Sequence, residues 1–388
     1  MQVAPPETRY DADLLIAEAR RHARRRRMAS AGIVAVVAGA VVAGYLVSRP
    51  GGSTAPSAAP SGHAPGSRAA PIARTLNQPA TLAVGRHGVL YIADDTRNMI
   101  FARHASGRIT VVAGTGVRGF SGDGHLAIHA ELNDPVGMIY DRSSRTLYVA
   151  DSGNNRVRAI GADGVIRTVA GSGRSGWVPS NTPARHAQLS DPVALALSPH
   201  GRLYVSDELE VLRLNRRGIF TRIAGLPRSE GTIGVGGPAL RAATDSANGL
   251  AFDRRGDLYL TGFATKNLLA ISPGGRMLEL ASVYARGNEG IVTAPDGSVI
   301  VSDTQQIYRY TSLEHRQLLI NFSRTGTIDG IRAIVATGIT INHRGTILID
   351  TSNRDGYTNR TSILALSPTT HTVHVIWEQP HAARRRAS

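Results

Sequence analysis

The sequence predicts an all-β protein built as a six-bladed β-propeller, and three observations carry that expectation. Six short aliphatic runs recur along the 388-residue chain: L-Y-I-A-D at Leu90, L-Y-V-A-D at Leu147, L-Y-V-S-D at Leu203, L-Y-L-T-G at Leu258, V-I-V-S-D at Val299 and I-L-I-D-T at Ile347. Their spacings are 57, 56, 55, 41 and 48 residues. Each interval holds strand and turn signals only, and β-branched or aromatic segments are bounded by Gly, Asp, Asn or Ser. A repeat of this size made of strands and turns is the mark of a propeller blade, which cannot bury its own faces and must pack against copies of itself.

Each unit resolves into four strands. In the second, residues 136–140, 147–150, 157–160 and 166–170 are apolar or β-branched and separated by polar turns, the chemistry that hairpins require. The fourth-strand position is occupied in the other units by residues 109–113, 220–224, 277–281, 318–320 and 373–377.

The stretch from Val112 to Gly171 reads V-A-G-T-G-V-R-G-F-S-G-D-G, then A-E-L-N-D-P-V-G-M, then L-Y-V-A-D-S-G-N-N-R-V-R and T-V-A-G. It resembles the NHL-repeat group of six-bladed propellers, which includes extracytoplasmic sensor domains of some actinobacterial kinases and the NHL part of teneurins. The likeness covers residues 77–377 as architecture and is strongest over the first three blades. Later, Gly262 and Thr351 stand where the other units end their second strand in Asp. The resemblance implies a fold more than an activity, because propellers host many unrelated functions.

Ahead of the repeats, residues 29–47 carry no charge and are dominated by Ala, Val and Gly. As a helix they would span about 28 Å, close to the roughly 30 Å hydrocarbon thickness of a bilayer. Arg20, Arg21 and Arg24 to Arg27 precede this segment and only Arg49 follows closely, so the positive-inside bias places the carboxyl side outside. The expectation is a signal anchor in the cell membrane, crossing once and displaying the propeller on the extracytoplasmic side. A cleaved secretory signal competes, since a basic region followed by an apolar one fits both. Ala31, Ala35, Gly39 and Ala43 repeat every four residues, a spacing that lets membrane helices self-associate but that also arises by chance in an Ala-rich segment. The domain plan is a basic segment (1–28), the anchor (29–47), a flexible Pro/Ser/Ala/Gly linker (48–75), the propeller (76–380) and a basic tail (381–388).

There are no cysteines, which excludes disulfides, thiolate catalysis and Cys-based zinc sites. Lys266 is the one lysine among 44 basic residues, a bias that suggests a high-GC genome. The net charge is +15, of which residues 1–28 and 381–388 each supply +3. Strand order divides the remainder between two faces. Loops joining strands one to two and three to four carry Arg86, Arg103, Arg108, Arg142, Arg145, Arg202, Arg216, Arg217, Arg276 and Arg344, with His87, His104, His200, His315, His343 and His371. The opposite loops carry Asp94, Asp95, Asp123, Glu131, Asp134, Asp151, Asp207, Glu208 and Glu210. The basic face reads either as solvated turns filled with Arg or as a surface for anionic headgroups and phosphate-bearing wall polymers. Nucleic acid is not expected as a partner of an exported domain.

The strand-end residues Asp94, Asp151, Asp207 and Asp303 recur once per blade, and Asn98, Asn154 and Asn155 follow two of them. Repetition argues for turn-stabilising hydrogen bonds; a cation-binding ring of carboxylates is the competing role. The glycine-rich G-F-S-G-D-G at 119–124 lacks the lysine and helix start of a phosphate loop. It opens the first of three long interblade loops expected to crown one rim. Arg118, Phe120, His125 and Trp177 are the candidate binding residues there, with packing against the next blade as the alternative use.

No catalytic residue, metal or cofactor is assigned. The expected function is a binding or scaffold module for a protein, glycan or cell-wall ligand. Because six-bladed propellers include lactonases and antibiotic lyases that use a central metal, a metal-dependent enzyme is the alternative. His125, His129 and His186 are expected on the acidic rim, but no spacing marks them as ligands.

Overall fold

The computed structural model describes residues 79–226, 234–244, 247–262, 267–282, 290–302, 306–311, 315–322, 327–328, 331–332, 334–342, 344–354, 359–367 and 372–378. The expected anchor at 29–47, the linker and the basic tail lie outside them. Among the described residues no helix is long and apolar enough to cross a membrane.

Six four-stranded antiparallel meanders follow one another along the chain. Blade one is β1 (Pro79–Val84), β2 (Leu90–Asp94), β3 (Met99–Arg103) and β4 (Ile109–Ala113); blade two is β5 (Pro135–Asp141), β6 (Thr146–Asp151), β7 (Arg156–Ile160) and β8 (Ile166–Ala170). The short β9 (Thr182–Pro183) precedes blade three, which is β10 (Pro192–Leu197), β11 (Leu203–Asp207), β12 (Glu210–Leu214) and β13 (Ile219–Ala224). Blade four is β14 (Ala247–Phe252), β15 (Leu258–Gly262), β16 (Asn267–Ile271) and β17 (Met277–Ser282); blade five is β18 (Ile291–Thr293), β19 (Val299–Ser302), β20 (Gln306–Tyr310) and β21 (Arg316–Asn321). A small hairpin, β22 (Thr327–Ile328) and β23 (Ile331–Arg332), leads to blade six, which is β24 (Ile334–Ile341), β25 (Ile347–Arg354), β26 (Asn359–Leu366) and β27 (Val373–Glu378).

The innermost strands make the ring. β1 packs on β5 and β24, β10 on β5 and β14, and β18 on β14 and β24. Every blade is continuous in sequence, so the ring closes by side-chain packing instead of a strand exchanged between the chain ends. At that seam Leu82, Leu90, Ile92 and Phe101 meet Leu348 and Ile363.

The recurring run explains how each blade packs. Its third residue is buried in all six copies: Ile92, Val149, Val205, Leu260, Val301 and Ile349 are at most 1% exposed. Strand alternation turns the second residue to the other side of the sheet, where it meets the next blade. Tyr91 stacks on Tyr140 of β5 at 5.5 Å, and Tyr204 meets Phe252 of β14 edge-on at 4.7 Å. Pro79, Pro135 and Pro192 open the inner strands of the first three blades, the strand position where a missing N–H is tolerated. A register shift follows each of them.

Phe220 of β13 is fully buried between the second and third blades, in a cluster with Val157, Val178 and Leu189. Phe220→Ala is expected to cost about 3–5 kcal/mol, read as a fall in the thermal midpoint. A loss below about 1 kcal/mol, less than any large-to-small core change of this kind, would contradict the packing of this seam.

Candidate functional site

Three structural layers surround the places where a ligand would meet this molecule: the strand-end carboxylates, the interblade loops and the opposite arginine-bearing turns.

Asp94, Asp151 and Asp207 are essentially unexposed, and each is used by backbone. Asp94 accepts from Arg97 N at 3.1 Å and Thr96 Oγ1 at 2.9 Å, inside its own turn. Asp151 and Asp207 reach farther. Asp151 accepts from Asn133 N at 2.7 Å, and both oxygens of Asp207 accept from Ser190 N at 2.8 and 2.9 Å. Asn133 and Ser190 stand two residues before the first strands of their blades, so these two carboxylates tether the incoming chain. Asn98 and Asn155, both with positive φ, accept from Asp134 N and Asp191 N at 2.9 and 3.1 Å and so link one blade to the next. Asp303 lies outside the described residues. Among the described residues no three His, Cys, Asp or Glu side chains converge in a way that could hold a metal ion.

The long interblade loops depart from the sequence expectation. Each leaves its blade through the glycine of the V-A-G or I-A-G motif. Gly114, Gly171 and Gly225 have φ of +94°, +91° and +105°, and a Cβ at any of them would collide with the carbonyl oxygen of Asn98, Asn155 or Leu209. A positive φ with no space beside it is what selects glycine there. The loops then run along the outer edge of the next blade. Ile166 N donates to His125 O at 3.0 Å, and Ala127 N to Gly164 O at 2.9 Å. The second loop repeats this, with β9 paired to β13 and Ala184 N donating to Gly218 O at 2.8 Å. In the third, Ala239 N donates to Gly275 O at 2.8 Å. These segments cover outer strands that would otherwise expose an unpaired edge, so they are not a crown on one rim. His125, expected on the rim, sits beside the start of β8. His129 and His186 lie in the 3-10 turns Ala127–His129 and Ala184–His186 on the same perimeter.

Phe120 and Trp177 hold equivalent places in the first two loops, each against arginine of the following blade. The Arg156 guanidinium lies 3.7 Å and that of Arg158 4.8 Å from the Phe120 ring centroid; Arg222 lies 4.8 Å from the Trp177 ring. Arg158 is wholly buried and uses its donors on Asp151 Oδ2 (3.1 Å), Asp123 Oδ1 (2.9 and 3.2 Å) and Ser121 O (3.0 Å). Burial pushes the Asp151 carboxyl above its ordinary value, against Asn154, the Asn133 amide and Arg158, which pull it down. Phe120 keeps 40% of its surface exposed, and Arg118 beside it is exposed.

The opposite face carries the freer charges. Arg86, Arg142, Arg145, Arg202 and Arg344 occupy the exposed turns between first and second strands of blades one, two, three and six. Arg108, Arg216 and Arg217, between third and fourth strands, are also exposed. Among the described residues none of these eight lies within ion-pair distance of a carboxylate. Two members of the predicted set are used elsewhere. Arg103 donates to Ile376 O at 2.9 Å across the seam between the last and first blades, and Arg276 to Gly236 O at 2.9 Å on the third interblade loop. Of the histidines predicted there, His87, His200 and His315 are exposed, and His104 shares a 2.9 Å hydrogen bond with Thr110. His343 and His371 lie outside the described residues.

Two residues missed by charge counting join this face. Arg254 and Arg255 of blade four are exposed, but in sequence Asp253 and Asp257 cancel them. The fold removes half of that cancellation. Asp253 is only 7% exposed and accepts from Arg255 N and Asp257 N at 2.9 Å each and from Tyr259 Oη at 3.3 Å. Burial and the neighbouring Asp253 push the Tyr259 hydroxyl up to about 12, so it stays a donor to that carboxylate. Arg254 thereby edges a shallow hollow of about 290 Å³ at the ends of the inner strands, walled by Leu197, Pro199, Phe252, Asp253 and Thr293. Arginines therefore stand in the first turns of five blades. In blade five Asp296 occupies that turn and pairs with Arg309.

The family model of the teneurin NHL domain matches residues 95–285. Mouse teneurin-4 is 28% identical over 282 residues, 66% of this chain and 10% of that protein. Mouse teneurin-3 is 25% identical over 331 residues, covering 79% of this chain and 11% of the relative. Fruit-fly teneurin-m is 26% identical over 227 residues, 52% and 8% of the two chains. The chain thus spans about a tenth of the length of the curated relatives it matches. Among solved structures, a streptogramin B lyase superposes with a TM-score of 0.51 at 13% identity, covering 79% of this chain and 84% of that one. A gluconolactonase from Xanthomonas campestris gives 0.50 at 16% identity, covering 71% and 84%. Likenesses at that identity speak to fold alone. Sequence match and blade count converge on an NHL-repeat six-bladed β-propeller, similar over residues 95–285 to the teneurin NHL domain.

Proposed function

We propose that this propeller is a non-catalytic binding module, displayed outside a cell membrane by residues 29–47, whose arginine-bearing face receives a polyanionic ligand. The observation that carries the reading is the set of exposed arginines, Arg86, Arg142, Arg145, Arg202, Arg254 and Arg344, in the first turns of five blades on one face. Guanidinium groups suit planar, bidentate recognition of phosphate and carboxylate. Rigid blades hold their turns in fixed relation, so the charges act as one surface. A phosphate-bearing wall polymer or an acidic protein surface has the matching chemistry. The anchor is supported by the uncharged length of 29–47 and by the arginines before it.

The test is retention of the detergent-solubilised chain on a phosphodiester wall polymer, compared with its neutral glycan backbone. The reading expects retention on the polymer, weakened steeply by salt. Equal retention on both, or none on either, would sink it. Protease protection of the propeller in intact cells would sink the topology separately.

A further inference from the structure

The second interblade loop is fastened differently from the first. In blade two the strand-end Asp151 faces Arg156 across the sheet, and Arg158 fills the buried place beside it. In blade three the same register pairs Asp207 with Glu210, and Leu212 stands where Arg158 would be. A carboxylate pair thus replaces a carboxylate–guanidinium pair, at 1% and 2% exposure. Both acids hold the same loop. Asp207 receives Ser190 N, and Glu210 Oε1 receives Val178 N at 3.0 Å. Glu210 Oε2 has no hydrogen-bond partner.

We propose that residues 172–190 form a pH-responsive latch, closed while at least one carboxyl of the Asp207–Glu210 pair is protonated and loosened when both are ionised. Two like charges on facing residues of adjacent strands, both shut off from water, cannot both ionise without cost. Opening the loop to water relieves that cost. The surrounding charges do not cancel it. Glu208, in the turn, and Asp191, on the incoming loop, add negative charge toward Asp207; Arg222 of β13 faces Glu210 and is the cation opposing them. Burial accordingly pushes Glu210 up to about 7 and Asp207 well above its ordinary value. A carboxyl with a raised value in the closed state favours closure most fully below its open-state value. That preference falls as pH rises toward 7 and levels off above it. The first loop, held by Arg158, lacks this device.

Amide hydrogen exchange of the full chain at pH 5.5 and 7.5, corrected for intrinsic rates, tests the latch. Protection of residues 172–190 is expected to fall about tenfold or more, while residues 114–134, whose Asp151 keeps the Arg158 cation beside it, change less. Glu210→Gln should keep the loop protected at both values. Two results would overturn the proposal: pH dependence that is equal in the two loops, or dependence in 172–190 that survives Glu210→Gln. If the variant does not fold, the comparison between the two loops in the unaltered chain decides alone.

Discussion

Replacing Arg158 with alanine is expected to lower the thermal midpoint by on the order of 10 °C. The side chain is wholly buried, and its removal takes the ion-pair partner from Asp151, which is equally buried, leaving Arg156 as a cation that does not bond it. Breaking one half of a buried pair costs about 3–5 kcal/mol, because the remaining charge keeps its desolvation penalty. Each kcal/mol moves the midpoint of a large domain by about 2–4 °C. The same change frees Asp123 and the Ser121 carbonyl, which tie the first interblade loop to β7, and removes a cation from beneath Phe120. The double change Arg158→Leu with Asp151→Asn should recover part of the loss by removing the stranded charge. A midpoint shift under about 2 °C for Arg158→Ala, below 1 kcal/mol on that scale, would mean that the clamp is not closed as described.

The second large effect is on binding. Combined replacement of Arg142, Arg145, Arg202 and Arg254 by alanine should weaken affinity for a polyanionic ligand on the order of 10²- to 10³-fold. Each cation near an anionic surface contributes about 1 kcal/mol, and a factor of ten is about 1.4 kcal/mol. Their exposure predicts little effect on stability, within about 0.5 kcal/mol per site. The salt dependence of the residual binding should be shallower, since fewer counterions are displaced. An unchanged affinity at low salt would show that these turns do not touch the ligand.

The blade plan was readable because one run does one job in every copy. Its third residue must be buried, and its second must meet the next blade, so selection keeps L-Y-V in register around the ring. The strand-end aspartates were also visible, but their partners were not. Asp151 and Asp207 bond Asn133 and Ser190, 18 and 17 residues away in sequence, a distance over which no spacing rule operates. The interblade loops were found by their glycines and placed wrongly. Glycine reports a turn without saying where the chain goes next, and the pairing of Ile166 with His125 is decided by the exposed edge of β8. Charge counting failed in both directions for one reason, which is that a count cannot see burial. Asp253 turns inward and leaves Arg254 on the surface, while Arg103 is drawn into the seam between the last and first blades and Arg276 is tied to the third interblade loop.

Arginine footprinting of the full chain with a dicarbonyl reagent, with and without a phosphodiester wall polymer, tests the central claim most directly. Protection confined to the turn arginines Arg86, Arg142, Arg145, Arg202, Arg254 and Arg344, with Arg118 and Arg174 of the interblade loops modified equally in both samples, is the predicted result. Protection of Arg118 and Arg174 with the turn arginines unchanged would place the ligand on the interblade loops and contradict it.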